Sequence, residues 1–121
     1  MFTLVIQDRC GVQPARSVHC LHWREGARCS ARELIRERVS LEFQALRNSR
    51  VARPFVNHLV QYPCTATCSL REAVSLALRG FEMEAFFLVV DGRHIRDVDQ
   101  KFPLTALSKV TYQRLLPKMV A

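Results

Sequence analysis

Soft ligands and nucleophiles gather at two places in this chain. His19-Cys20-Leu21-His22 and Cys64-x3-Cys68 supply the nitrogen and sulfur donors that hold zinc. Yet Cys20 and His22 fall on one expected strand, and no paired C-x2-C knuckle accompanies them. Incidental thiols fit this spacing better than a structural metal site, and no metal or other cofactor is expected. The five cysteines, Cys10, Cys20, Cys29, Cys64 and Cys68, form no disulfide framework and read as reduced thiols. Cys29 precedes an expected helix, whose N-terminal dipole could lower its thiol pKa. No partner histidine is identifiable nearby, so a plain buried thiol is the better reading. Asp91, Asp97 and Asp99 lack the glycine and terminal glutamate of a calcium loop and read as turn residues bonded to their own backbone. There is no glycine-rich phosphate loop, no H-E-x-x-H and no G-x-S-x-G. The expectation is a protein that is not an enzyme.

Charge narrows the partners. The net charge of +7 comes from fifteen Arg and only three Lys, Lys101, Lys109 and Lys118. That balance favours an acidic partner. The arginines lack interleaved exposed aromatics, which argues against single-stranded nucleic acid. No apolar run approaches the roughly 18–20 residues that cross a bilayer. Met1-Phe2-Thr3-Leu4-Val5-Ile6 lacks the basic leader and long apolar stretch of a signal peptide. A cytoplasmic protein with no membrane contact is expected.

The elements that must position these residues follow from hydrophobic period. At 121 residues and 49% hydrophobic, the chain suits one domain with its own core. Phe2 to Gln7 alternates as a strand, with Phe2, Leu4 and Ile6 toward the core. Asp8 to Ser17 reads as a loop, and Val18 to Trp23 as a second strand. Gly26 to Ser30 breaks that strand and starts a helix, and Ser30-x-x-Glu33 is a capping box. The helix should run to about Arg47, with stripes Leu34/Leu41/Ala45 and Ile35/Val39/Phe43/Leu46. Arg38 and Glu42 lie between the stripes and read as a rim ion pair worth tenths of a kcal/mol. A helix wedged between a sheet and the rest of the chain explains so wide an apolar arc better than a homodimer surface on the second stripe.

Residues 48–68 read as a long connection, with a short strand around Phe55 to Tyr62. Ser69-x-x-Glu72 opens a second helix to about Glu84, with Leu70, Ala73, Val74, Ala77, Leu78 and Phe81 on one face. Gly80 costs that helix about 1 kcal/mol against Ala, which points to close packing there. Phe86 to Val90 is a continuous apolar run, as in a strand buried on both faces. Asp91-Gly92 signals a tight hairpin turn, and Lys109 to Leu115 a final strand. The order suits an α+β fold: a β-grasp roll with an additional helix and a long helix–helix connection. In such a roll the last strand lies parallel beside the first in mid-sheet. A split βαβ arrangement also fits.

Three segments together carry a resemblance: Ala31-Arg32-Glu33-Leu34-Ile35-Arg36-Glu37-Arg38-Val39, then Phe86 to Gly92, then Val110-Thr111-Tyr112-Gln113-Arg114-Leu115-Leu116-Pro117. As a set they resemble bacterial ubiquitin-like proteins with an R-E-L-I-R-x-R-V helix start and a V-D-x-R-x-V hairpin. Their final tail reads V-T-F-x-[KR]-L-x-P-L-x-G-G. The resemblance implies a ubiquitin-like domain over residues 1–116 and a tail at 117–121. It implies a protein modifier whose C-terminal carboxylate is adenylated by an activating enzyme and passed through a conjugating enzyme to targets. Leu115, Leu116, Pro117, Lys118, Met119, Val120 and Ala121 would form the conjugation tail. This chain departs from the pattern where the paired glycines would stand, reading Val120-Ala121; β-branched Val120 suits a narrow channel poorly. A chain that continues past Ala121, a terminus that uses Ala, and a relative without conjugation all remain open. Two alternatives stand beside the modifier. One is a non-covalent β-grasp adaptor that binds an acidic protein through Arg32, Arg36 and Arg38. The other is a sulfur carrier with a C-terminal thiocarboxylate.

Overall fold

The computed structural model describes residues 2–24, 26, 28–47, 59 and 69–114. Strand β1 (Phe2–Cys10) buries Phe2, Leu4 and Ile6 and exposes Thr3 and Val5, the alternation its sequence spells. It pairs antiparallel with β2 (Arg16–Trp23), with Leu4 opposite Leu21 and a register shift between Ile6 and Gln7. The expected loop at 8–17 is therefore shorter than the sequence suggested. Asp8, Arg9 and Cys10 stay in the strand because Tyr112, Gln113 and Arg114 pair with them.

After β2 come β3 (Arg28–Ser30) and helix α1 (Ala31–Arg47). The segment before α1 is thus not a plain break: β3 pairs antiparallel with β6 (Lys101–Pro103), setting Cys29 opposite Phe102. The Ser30 hydroxyl accepts from the Glu33 amide at 3.3 Å, one half of the expected capping box. Glu33 turns its carboxylate to Lys101 Nζ at 2.5 Å and to the Ser30 hydroxyl. Helix α2 (Leu70–Glu82) starts as read, with the Ser69 hydroxyl accepting from the Glu72 amide, and stops two residues earlier than expected. Gly80 has its reason: a Cβ there would lie 2.7 Å from the Leu59 carbonyl oxygen.

Strands β4 (Phe87–Val90) and β5 (Arg93–Ile95) form a hairpin. Asp91 (φ 51°) and Gly92 (φ 80°) both take positive φ, the geometry that two-residue hairpin turns need. β4 is not buried on both faces: Leu88 and Val90 are buried, while Phe87 and Val89 are half-buried. The last strand, β7 (Val110–Arg114), runs antiparallel to β4 and parallel to β1, with Ile6 opposite Val110 and Cys10 opposite Arg114. The result is α+β: a mixed five-stranded sheet of order β2-β1-β7-β4-β5 with two helices among the described residues. This arrangement is compatible with a β-grasp roll.

The core lies between the sheet and α1. Leu34, Ile35 and Val39 are fully buried against Leu4, Ile6, Leu88, Val110 and Tyr112, all 0% exposed. Each such aliphatic side chain contributes roughly 1.5–3 kcal/mol on burial. α2 packs along α1 through Ala73, Ala77 and Phe81. That second cover accounts for the wide apolar arc of α1. Ile35 and Val39 from its second stripe are buried in the core, and Phe43 is partly buried against it.

Candidate functional site: the frame of the last strand

Whatever follows Arg114 is delivered by β7, and the end of that strand is fastened from one side. The Gly11 amide donates to the Arg114 carbonyl at 2.7 Å. Gln113 Nε2 donates to the Gly11 carbonyl at 3.1 Å and to the Arg114 carbonyl at 2.8 Å. Gly11 sits at φ 57°, a left-handed conformation that costs glycine least. The turn after β1 is therefore joined to the end of β7 by two hydrogen bonds, and the Gln113 side chain adds a third within β7 itself. Sequence reading missed this clamp, since Gln113 and Gly11 lie about a hundred residues apart and neither belongs to a motif.

Beneath β7 lies a buried charge cluster. Arg38 on α1 is only 2% exposed. Its Nη1 and Nη2 grip both carboxylate oxygens of Asp8, the second at 2.6 Å, and its Nε donates to Glu42 at 2.7 Å. The guanidinium also lies over the Tyr112 ring. Burial alone would lower the Arg38 pKa; the Asp8 hydrogen bonds and the charges of Glu42 and Asp8 outweigh it and raise the pKa above the ordinary guanidinium value. Burial likewise pushes the Tyr112 phenol up, so it stays neutral and donates to the Leu34 carbonyl at 3.3 Å. Two expectations for Arg38 are corrected here. The expected pair with Glu42 forms but is buried rather than at a rim, and Arg38 cannot serve a partner-binding surface, because Asp8 comes in from β1 and covers it.

Arg32 and Arg36 sit where a surface role requires. Arg36 is exposed. Arg32 is 39% exposed and fixed to Asp99 by two hydrogen bonds, 2.8 and 3.2 Å. That pairing holds the Asp99 carboxyl below its usual range. Asp97 behaves as a turn residue, its carboxylate accepting from the Asp99 amide at 2.9 Å. Cys29 is fully buried beneath the small β3–β6 sheet, and burial, helped by the Glu33 charge, pushes its thiol up to about 12. Cys29 is thus the plain buried thiol that the sequence favoured.

Cys64 and Cys68 lie outside the described residues, as do the expected strand at 55–62 apart from Leu59 and the whole of Leu115 to Ala121. Among the described residues no group of three His, Cys, Asp or Glu side chains could hold a metal ion. No helix among them is long and apolar enough to cross a membrane. No protein-family model matches this chain, and neither a curated protein nor a solved structure does.

Proposed function

We propose that this chain is a β-grasp, ubiquitin-like protein modifier that acts through its C-terminal segment, Leu115 to Ala121. The observation that carries the reading is the placement of β7, parallel to β1 and central in the sheet, with its exit clamped by Gly11 and Gln113. A rigid platform that releases its terminus from mid-sheet suits an enzyme that must draw a carboxylate into a narrow channel. In the proposed reaction the carboxylate attacks the α-phosphate of ATP and pyrophosphate leaves. A thiolate of the activating enzyme then displaces AMP to form a thioester. A target amine finally displaces that thiol, giving an amide. The chain supplies only the carboxylate and the surfaces that dock the activating and conjugating enzymes.

Incubating N-terminally tagged protein with extract of its native cells and ATP tests this. The reading expects an ATP-dependent adduct cleaved by thiol reductant, and no adduct from a chain ending at Arg114. An adduct that forms equally without residues 115–121 would contradict it.

The exposure of Arg36 and the partial exposure of Arg32 favour one second reading, an adaptor for an acidic protein. Under it, Arg32→Glu with Arg36→Glu abolishes partner binding and removal of the tail leaves it intact.

A further inference from the structure

The chain turns sharply at the end of α2. Met83 caps the helix, the Glu84 amide bonds to the Phe81 carbonyl at 3.2 Å, and the Ala85 amide bonds to the Gly80 carbonyl at 2.8 Å. This reversal buries Phe86 and sends Phe87 into β4. Between the turn and the segment that follows β5 lies a groove of about 480 Å³. Phe81 and Phe86 back it from the core, the half-buried Phe87 and Val98 give it its accessible apolar surface, and the Phe87 ring meets His94 edge-on at 5.0 Å between centres.

The rim has the opposite sign to the chain. Glu82, Glu84 and Asp97 line it with a single guanidinium, Arg96, in a protein of net charge +7. None of the three carboxylates makes an ion pair within 4 Å among the described residues. Glu84 stands out further. It takes φ 58°, a conformation cheapest for glycine or asparagine at a helix end. Asp91, the other non-glycine residue with positive φ among the described residues, has a return for its conformation, since its carboxylate accepts from the Lys109 amide at 2.8 Å. The Glu84 carboxylate makes no such bond among the described residues. The observation that counts is the sign of the rim: three exposed carboxylates beside a groove in a strongly basic chain.

We propose that this groove docks a peptide segment of a partner protein that presents an apolar side chain flanked by lysine or arginine. The accessible surface of Phe87 and Val98 receives the apolar group. The carboxylates then meet the flanking cations across a partly desolvated rim, where charge pairing sets partner choice. Phosphate-bearing partners, whether nucleic acid or anionic lipid, meet three carboxylates there and are disfavoured. The site is independent of the C-terminal segment and of any conjugation.

Isotope-labelled full-length protein titrated with the acetylated, amidated peptide Lys-Lys-Leu-Phe-Lys-Lys tests this by amide chemical shifts. The control is Glu-Glu-Leu-Phe-Glu-Glu at the same concentrations. The basic peptide is expected to move amides of Gly80 to Phe87 and His94 to Val98, and the acidic one to leave them in place. Glu84→Gly, which relieves the backbone while removing the charge, should keep the fold and weaken binding about fivefold; Glu84→Lys should weaken it about tenfold or more. Absence of shifts, shifts centred elsewhere on the molecule, equal binding of the acidic peptide, or full affinity in both Glu84 variants would each overturn the proposal.

Discussion

The guanidinium of Arg38 lies 4.6 Å from the centre of the Tyr112 ring, stacking a helix cation on a residue of the last strand. With Asp8 from β1 and Glu42 one turn along α1, this pair ties α1, β1 and β7 together. Arg38→Ala leaves two carboxylates facing a buried hole. Removal of one partner from such a cluster costs about 3–5 kcal/mol. The combined Arg38→Met, Asp8→Asn, Glu42→Gln variant should recover most of that loss, because no uncompensated charge remains. Urea unfolding at pH 7 reads both; a cost below about 1 kcal/mol for Arg38→Ala would show that the cluster is not a structural tie.

Gly80→Ala is expected to destabilise the protein although alanine is the better helix former. The gain in helix propensity is about 1 kcal/mol, but the new Cβ would stand 2.7 Å from a main-chain oxygen that cannot rotate away. A net loss of about 1–3 kcal/mol follows by the scale of overpacking penalties. Thermal unfolding checks the sign, and a raised Tm would refute the close approach.

The two helix starts can be probed through one of them. Ser69→Ala removes the acceptor for the Glu72 amide and should cost about 1 kcal/mol, whereas Ser69→Asp should be nearly neutral. Equal losses from both substitutions would mean that Ser69 contributes by packing rather than by capping.

Cys29 gives a pH prediction. Its folded thiol is raised from 9.0 to about 12, so the folded state holds a proton that the unfolded chain releases above pH 9. The stabilisation is complete below pH 9 and is lost progressively as pH rises toward 12. Iodoacetamide at pH 8 should leave Cys29 unmodified in the folded protein while the exposed Cys20 reacts. Labelling at equal rates would place Cys29 at the surface.

Much of the frame could be read from the sequence because it depends on local signals. Alternation placed β1, serine caps placed the starts of α1 and α2, and Asp91-Gly92 placed the β4–β5 turn. The parallel pairing of the first and last strands was expected only as one arrangement of that order, and the register at Ile6 and Val110 supplies it. What stayed hidden is non-local. The three-residue strands β3 and β6 are too short for a period, and each is a strand only because the other is present. Arg38 looked like a rim residue because an Arg–Glu pair four apart is usually solvated, and nothing nearby announces that Asp8 arrives from thirty residues upstream. The acidic groove was missed for the same reason, since its carboxylates come from the end of α2, from the turn after it and from the segment after β5.

The central claim, a modifier acting through its C-terminal segment, is tested most directly by peptide mass spectrometry of proteins from the native cells. Target lysines joined by an isopeptide bond to a remnant of residues 115–121 are expected. Finding the segment in the free form alone under every growth condition, with a plain carboxylate at its end, would contradict it.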